Sequence, residues 1–354
     1  MPESYTIAVR CLVISNPNST SQAPKLQRSI IPALLSVTGM KSVFTAHPGH
    51  ATELVSGLIK QDFDAVIAIG GDGTVNEVIN GLLGDDPTTR PTAENLPALA
   101  VIPTGSANVF ARAMGYSREP EAATAQLVAA LRDIANGVET DDTYIPVRAG
   151  FVQDHCSTKR RWFVVNAGLG FDAEVIARME KLRARGLSAA PQLYANTAVL
   201  SWLRMRRSQP HICAEIVTAS RTERFTDLPL ALVSNTHPWT YFGALPVVTN
   251  PESEAKVGMS FYSIPTVRGV AGFAAVAQMI SDGRGGTAGL TRLLGLGPTV
   301  VRSEGVQAME LTSAEAVRFQ IDGEYLGATT GLTFSSHPSV LNFVAPAAES
   351  TGVK

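Results

Sequence analysis

Short apolar runs alternate with amphipathic stretches through residues 1–140. YTIAVRCLVIS, SVFTA, FDAVIAI and ALAVI are nearly unbroken apolar runs. That pattern suits strands buried on both faces of a parallel sheet. After FDAVIAI, Val75, Val78, Ile79, Leu82 and Leu83 recur at helical spacing and form one apolar stripe. Asn76, Glu77 and Asn80 lie off that stripe. Helical patterns also cover Leu26 to Val37, GHATELVSGLIKQ, TGSANVFARAMG and EPEAATAQLVAALRDIANG, the last stopped by Gly137. Strand and helix in strict alternation predict an α/β domain.

The pattern changes near Asp141. TYIPVRAGFV, RRWFVVNAG, HICAEIVTAS, RFTDLPLALVSN and GMSFYSI read as strands joined by turns, and AVRFQIDGEYLG as a hairpin. Helical stretches interrupt them at Asp172 to Arg185, Ala190 to Arg207 and Val267 to about Ser281. The fold class expected is α/β plus β: residues 1–140 as one domain and 141–331 as an antiparallel sandwich-like or barrel-like one.

Composition adds boundaries. The chain has 354 residues, 45% hydrophobic and 17% charged, enough for two cores. A net charge of −2 gives no reason to expect nucleic acid as a partner. Cys11, Cys156 and Cys213 fit no zinc or redox spacing and suggest a reducing compartment. MPESYTIAVRCLVIS carries an acid and no signal-peptide core, and no run approaches a membrane span, so a cytoplasmic location is expected.

The strongest chemical signal is AIGGDGTVNEVINGLLG, from Ala68 to Gly84. No Gly-Lys pair follows at P-loop distance, and Asn76 stands where a dinucleotide fingerprint needs its third glycine. The pattern is strand, glycine turn, helix. A helix N-terminus exposes unpaired N–H groups that attract anions, and glycines let a phosphate approach the backbone. Asp72 fits such a site if a divalent cation, or a hydroxyl about to lose its proton, lies beside it. The plainer alternative is a helix cap by Asp72 or Thr74, which accounts for one polar residue but not for three glycines and an acid. Ligands of open α/β sheets bind beyond the carboxyl ends of the strands. Four polar clusters follow successive strands there: NPNS, TAHPGH, GGDGT and PTGSAN.

GGDGTVNEVINGL followed by PTGSANVFARAMG resembles the diacylglycerol kinase catalytic-domain family, which includes sphingosine kinases and soluble bacterial lipid kinases. NPNS, TAHPGHATELV, NAGLGFDAEV and IDGEYLG extend the resemblance along nearly the whole chain. It implies a phosphofructokinase/NAD kinase-like N-terminal domain, a β-rich lipid-substrate domain and an active site in the cleft between them. It also implies that residues 332–354 return to the first domain. The implied reaction moves the γ-phosphoryl group of ATP to a lipid hydroxyl with Mg2+. By position, Gly70, Gly71, Asp72, Gly73 and Thr74 match the nucleotide-phosphate turn. Gly105, Ser106 and Asn108 match the second phosphate turn, and Asn16 and Thr45 the nucleotide pocket. Asp322 and Glu324 match the catalytic acidic pair, with Asp322 as general base, Asp72 as the alternative base, and Asp72 and Glu324 as metal partners. Without the resemblance, Asp322-Gly323 reads as an ordinary hairpin dipeptide.

The chain departs from the family pattern at Thr20, Ser106 and Val109, and LPVVTNPESEAKVGMSFYSI lacks the Asp-Gly turn that relatives carry. His50 and Asp172 read as helix-start residues with catalytic or positioning alternatives. His237, Trp239 and Tyr241 suit either a lipid entrance or the sheet core. Arg204, Arg206 and Arg207 mark a candidate anionic-membrane face, with Lys159, Arg160 and Arg161 as the second choice. Peripheral contact with the inner face of the membrane and a homodimer are both compatible with this reading. So are a soluble-acceptor kinase of the NAD kinase type and a nucleotide-binding regulatory protein.

Overall fold

The structure, a computed structural model, describes residues 9–17, 23–184, 191–205, 208–242, 245–251, 258–269, 272, 275 and 300–347. The chain forms two compact units, Met1–Val147 with Pro338–Lys354, and Arg148–His337.

In the first unit β1 (Val9–Ser15), β2 (Thr38–Phe44), β3 (Ala65–Gly70) and β4 (Ala98–Pro103) line up in the order β2–β1–β3–β4. Every pairing is parallel. All six residues of β3 and of β4 are buried, as their unbroken apolar runs require. The edge strand β2 is mostly exposed or half-buried. Arg10 is the polar exception in β1. It pairs with Asp64 at 2.8 Å and donates to the carbonyls of Lys60 and Gln61, tying β1 to the turn that precedes β3.

Helices α1 (Ala23–Leu35), α2 (His50–Val55), α3 (Asp72–Leu83), α4 (Val109–Ala113) and α5 (Pro120–Ala135) connect the strands. Helix α2 stops at Ser56, before Gly57 at φ +76°, so it is shorter than GHATELVSGLIKQ suggests. The end of the chain's last strand adds to β4 in parallel, with Phe343 opposite Leu99. Phe343 is fully buried, edge-on to Phe110 and Tyr116.

The second unit is strand-rich and antiparallel. It contains β6 (Arg160–Phe163), β7 (Asn166–Leu169), β8 (Ile212–Thr218), β9 (Thr222–Leu228), β10 (Ala231–Ser234) and β13 (Met259–Ser263). Two strands cross the unit boundary along the chain, β5 (Tyr144–Asp154) and β15 (Glu324–Val344). The 21-residue β14 (Val301–Ile321) organises the unit. Its start pairs with β13 and its end with β7, while β10 lies between β7 and β13, so these four strands close a ring. A pair of short strands, β11 (Thr240–Phe242) and β12 (Leu245–Val247), stands apart. Phe163, Phe261, Phe319 and Phe334 fill the core of the unit.

Two runs that read as single strands are each divided. RRWFVVNAG breaks into β6 and β7 because the amides of Val164 and Val165 turn aside to an acid, and RFTDLPLALVSN breaks at Pro229 into β9 and β10. Helices α6 (Phe171–Ala184) and α7 (Pro191–Met205) stand close to their expected limits. The helix expected from Val267 to about Ser281 lies mostly outside the described residues.

Candidate active site

In the first unit, backbone hydrogen bonds lace the carboxyl ends of the strands together. The Thr45 amide donates to Ser15 O at 2.9 Å, Asn16 to Ile69 O at 3.1 Å and Thr104 to Gly70 O at 3.0 Å. The loops after β1, β2, β3 and β4 therefore start side by side, which brings Asn16, Thr45 and the two glycine turns to one end of this sheet. Asn18 and Ser19, which complete NPNS, lie outside the described residues.

The two turns are in backbone contact. A Cβ on Gly105 would lie 2.6 Å from Gly71 Cα, and one on Gly71 would lie 3.1 Å from Gly105 Cα. Asp72 joins them further: Oδ2 accepts from the Val109 amide at 3.1 Å and Oδ1 from Phe110 at 3.0 Å, at the start of α4. Burial pushes the Asp72 carboxyl above its ordinary pKa, against the pull of those amides. Asp72 thus caps a helix, but the one that follows the other glycine turn.

The remaining motif residues divide by what they touch. Gly70 makes room for Thr74, whose hydroxyl oxygen would lie 2.5 Å from a Cβ there. Asn108, in the left-handed region at φ 51°, accepts from Gly105 N at 2.8 Å and donates to Gly105 O at 2.9 Å, so its amide closes the second turn on itself. Ser106 is exposed. Gly73 is also exposed, and a Cβ there meets nothing within 4 Å. Of the four glycines assigned to the nucleotide, Gly73 alone borders open space.

Glu77 is a residue of this motif whose structural role the apolar pattern did not show. Its carboxylate accepts from the amides of Gly49 (2.9 Å) and Ala51 (3.2 Å), capping α2 from α3. Gly81 lets these helices touch, since a Cβ there would lie 2.5 Å from Thr52 O.

His50 is engaged locally: Nδ1 accepts from the Ala46 amide at 3.0 Å, and the ring stacks on His47. The ligating atoms of His47, His50 and Glu53 lie within 4.8 Å of one another. His50 Nδ1 is already taken up by the Ala46 amide, so a metal there would compete with that hydrogen bond.

In the second unit Asp322 and Gly323 form the two-residue turn between Ile321 and Glu324. Both have positive φ, 47° and 80°, as a type I′ turn requires. The Asp322 side chain is buried. Its oxygens accept from the amides of Val164 (3.0 Å), Val165 (2.9 Å) and Asn166 (2.9 Å). Glu324 points elsewhere: its side chain is 59% exposed and pairs with Arg161 at 2.8 Å.

Beside the turn, Gln320 donates to Asn166 Oδ1 at 2.9 Å and to Asp172 Oδ2 at 2.5 Å. Asp172 stands at the start of α6 over Gly168, where a Cβ would lie 2.6 Å from Oδ2. Burial pushes its carboxyl up to about 7, with the Gln320 bond opposing. Gln320 is 1% exposed, and a buried amide inside the apolar run VRFQI was the signal that could have singled it out. Trp239 belongs to a buried cluster with Trp202 and Tyr262, which places it in the core, while His237 is exposed. Arg204 is exposed, and Arg206 and Arg207 lie outside the described residues.

A parallel sheet whose strand ends feed paired glycine turns and helix N-termini defines an α/β class whose ligands bind beyond the carboxyl ends of the strands. The comparisons make the class specific. Residues 10–137 match the diacylglycerol kinase catalytic domain. The chain is 35% identical over 131 residues to a diacylglycerol kinase of Bacillus subtilis (strain 168), covering 36% of this chain and 39% of that one. It is 33% identical over 141 residues to sphingoid long-chain bases kinase 1 of Arabidopsis thaliana, covering 39% of this chain and 17% of that one. A solved diacylglycerol kinase structure from Bacillus anthracis str. Sterne matches the fold with a TM-score of 0.61. That match covers 95% of this chain and 96% of that one at 16% identity. The chain spans 39%, 59% and 32% of the first curated relatives it matches, less than two thirds of each. The match to the diacylglycerol kinase catalytic domain is confined to residues 10–137.

Proposed function

We propose that the protein is an ATP-dependent lipid kinase that phosphorylates a lipid hydroxyl, diacylglycerol or a related lipid. The observation that carries this reading is the pair of interlocked glycine turns inside the family-matched stretch, with Gly73 bordering open space at the N-terminus of α3. The first unit binds the nucleotide and the second serves the lipid.

Gly71, Gly73 and Thr74 receive the phosphates at the α3 N-terminus, where the amide dipoles favour negative charge. Gly105, Ser106 and Asn108 shape the second turn, and Asn16 and Thr45 border the nucleotide. Asp322 accepts the proton of the lipid hydroxyl as the phosphoryl group arrives. Its three amide donors hold the carboxylate at one position.

The oxygen-only donor set fits magnesium. Within the second unit Glu324, exposed and paired with Arg161, would be the carboxylate to hold it, and within the first unit Asp72 would be, although both its oxygens already accept amides. Bound magnesium would neutralise charge on the phosphates.

A lipid acceptor lies at a membrane surface, which the protein meets from the cytoplasmic side. No helix among the described residues is long and apolar enough to cross a membrane. Incubation with labelled ATP, magnesium and a panel of diacylglycerol, sphingoid bases and NAD tests the reading. Label in a lipid is expected, and label in NAD alone would replace it with the soluble-acceptor kinase.

A further inference from the structure

Helices α6 and α7 enclose a groove of about 500 Å³ in the second unit. Four cations line it, Arg178, Lys181, Arg204 and Arg318, against a single acid, Glu174. Glu174 is shared, bonding Arg178 at 2.7 Å and also Arg318, so it balances one positive charge at most. Among the described residues, neither Lys181 nor Arg204 has a recorded ion pair. Such an excess of positive charge is local, since the chain as a whole carries −2.

Beside this groove α7 turns two leucines to water. Leu200 is 57% exposed and Leu203 48%, one helical turn apart. The opposite face of α7 is firmly seated, with Trp202 and Met205 in the core. An adjoining cavity of about 370 Å³ shares Glu174, Arg204 and Arg318 with the groove. It is also lined by Ser201, which is 1% exposed and whose hydroxyl has no hydrogen-bond partner in the structure.

We infer that the α6–α7 groove is a docking site for an anionic lipid surface. The guanidinium and ammonium groups bind a headgroup phosphate, and Leu200 and Leu203 enter the acyl boundary beside it. Guanidinium groups bind phosphate through paired charge-assisted hydrogen bonds, and exposed leucines gain by leaving water. A soluble anion would use the cations and have no use for the leucines. The site involves neither nucleotide nor acceptor hydroxyl, so it stands or falls separately from the kinase reading.

The test is co-sedimentation of the full chain, without ATP, with vesicles of phosphatidylglycerol and phosphatidylcholine or of phosphatidylcholine alone. The parent should bind the anionic vesicles and release as salt rises. Lys181→Gln with Arg204→Gln should lower partitioning about 30-fold, from about five-fold for each cation near an anionic surface. Leu200→Ser with Leu203→Ser should also lower it, at any salt concentration. Lys159→Gln with Arg160→Gln, both exposed at the start of β6, should leave it unchanged.

Unaltered melting curves would confirm that each variant is folded. Parent-like binding by the Lys181/Arg204 variant would overturn the inference. So would loss of binding only in the Lys159/Arg160 variant. Tight binding of inorganic phosphate at the groove with no effect of the leucine substitutions would also overturn it, assigning the groove to a soluble anion.

Discussion

Asp72-Gly73 in the first unit and Asp322-Gly323 in the second are the same dipeptide in two settings. Both acids face inward and accept consecutive backbone amides from another loop, Val109 and Phe110 in one case, Val164 to Asn166 in the other. The glycines differ. Gly73 has no positive φ and opens a helix, whereas Gly323 sits at φ +80° in a hairpin turn, although a Cβ on either would meet nothing within 4 Å. Each acid organises its loop, so the two turns are separated by the backbone that follows, a helix N-terminus with unpaired amides after one and a paired strand after the other.

Asp322→Asn sharpens this comparison most. Asn-Gly preserves a type I′ turn, so the variant should stay folded while phosphoryl transfer falls about 10²–10⁴-fold, the range for loss of a general base. Parent-like transfer in a labelled-ATP assay would leave Asp322 as a loop anchor only.

Asp172 supplies a contrast, as a buried acid held by one side-chain amide. Its folded pKa, about 7, is raised from an ordinary value of 3.8, so the folded state binds its proton more tightly than the unfolded state. Its contribution to stability is therefore complete below about pH 4 and is lost as pH rises to about 7, by about 4 kcal/mol at most. Asp172→Asn should flatten this part of the melting-temperature profile. An unchanged slope between those pH values would show that the carboxyl titrates normally.

Asp72→Ala should lower stability by about 2 kcal/mol, because two amides at the start of α4 lose their acceptor. Denaturant unfolding measures this, and a smaller loss in Asp72→Asn, which keeps one acceptor oxygen, would confirm the capping role. The smallest effect belongs to Gly73→Ala. Inside a helix alanine should gain about 0.5–1 kcal/mol, while ATP affinity by calorimetry should weaken about ten-fold if phosphate approaches there. Unchanged affinity would move the nucleotide away from α3. Gly71→Val cannot make this distinction, since its side chain meets Gly105 whether or not ATP binds there.

The parallel sheet and the position of the glycine turns were legible because fully buried strands and a single helical stripe leave strong periodic patterns. Partnerships over long separations were not. Nothing in GGDGT indicates that Asp72 reaches residues 109 and 110, or that Glu77 reaches residues 49 and 51, because those contacts depend on adjacent strands bringing distant loops together. The break in RRWFVVNAG was invisible for the same reason: apolar Val164 and Val165 fit a strand, and their amides leave the ladder for an acid 157 to 158 residues away. The hairpin at Asp322-Gly323 was legible because its signal is local.

The contact of Gly71 with Gly105 has a consequence for how this sequence can drift. A Cβ on residue 105 would lie 2.6 Å from Gly71 Cα and 2.8 Å from Asn108 Oδ1, while one on residue 71 would lie 3.1 Å from Gly105 Cα; a change at either glycine cannot relieve the other, because the contact between them is with main chain. Deep random mutagenesis scored for folding should find residue 105 the less tolerant of the two, with no second-site rescue between them. Residue 73 should vary freely under that selection and become restricted only when survival depends on catalysis.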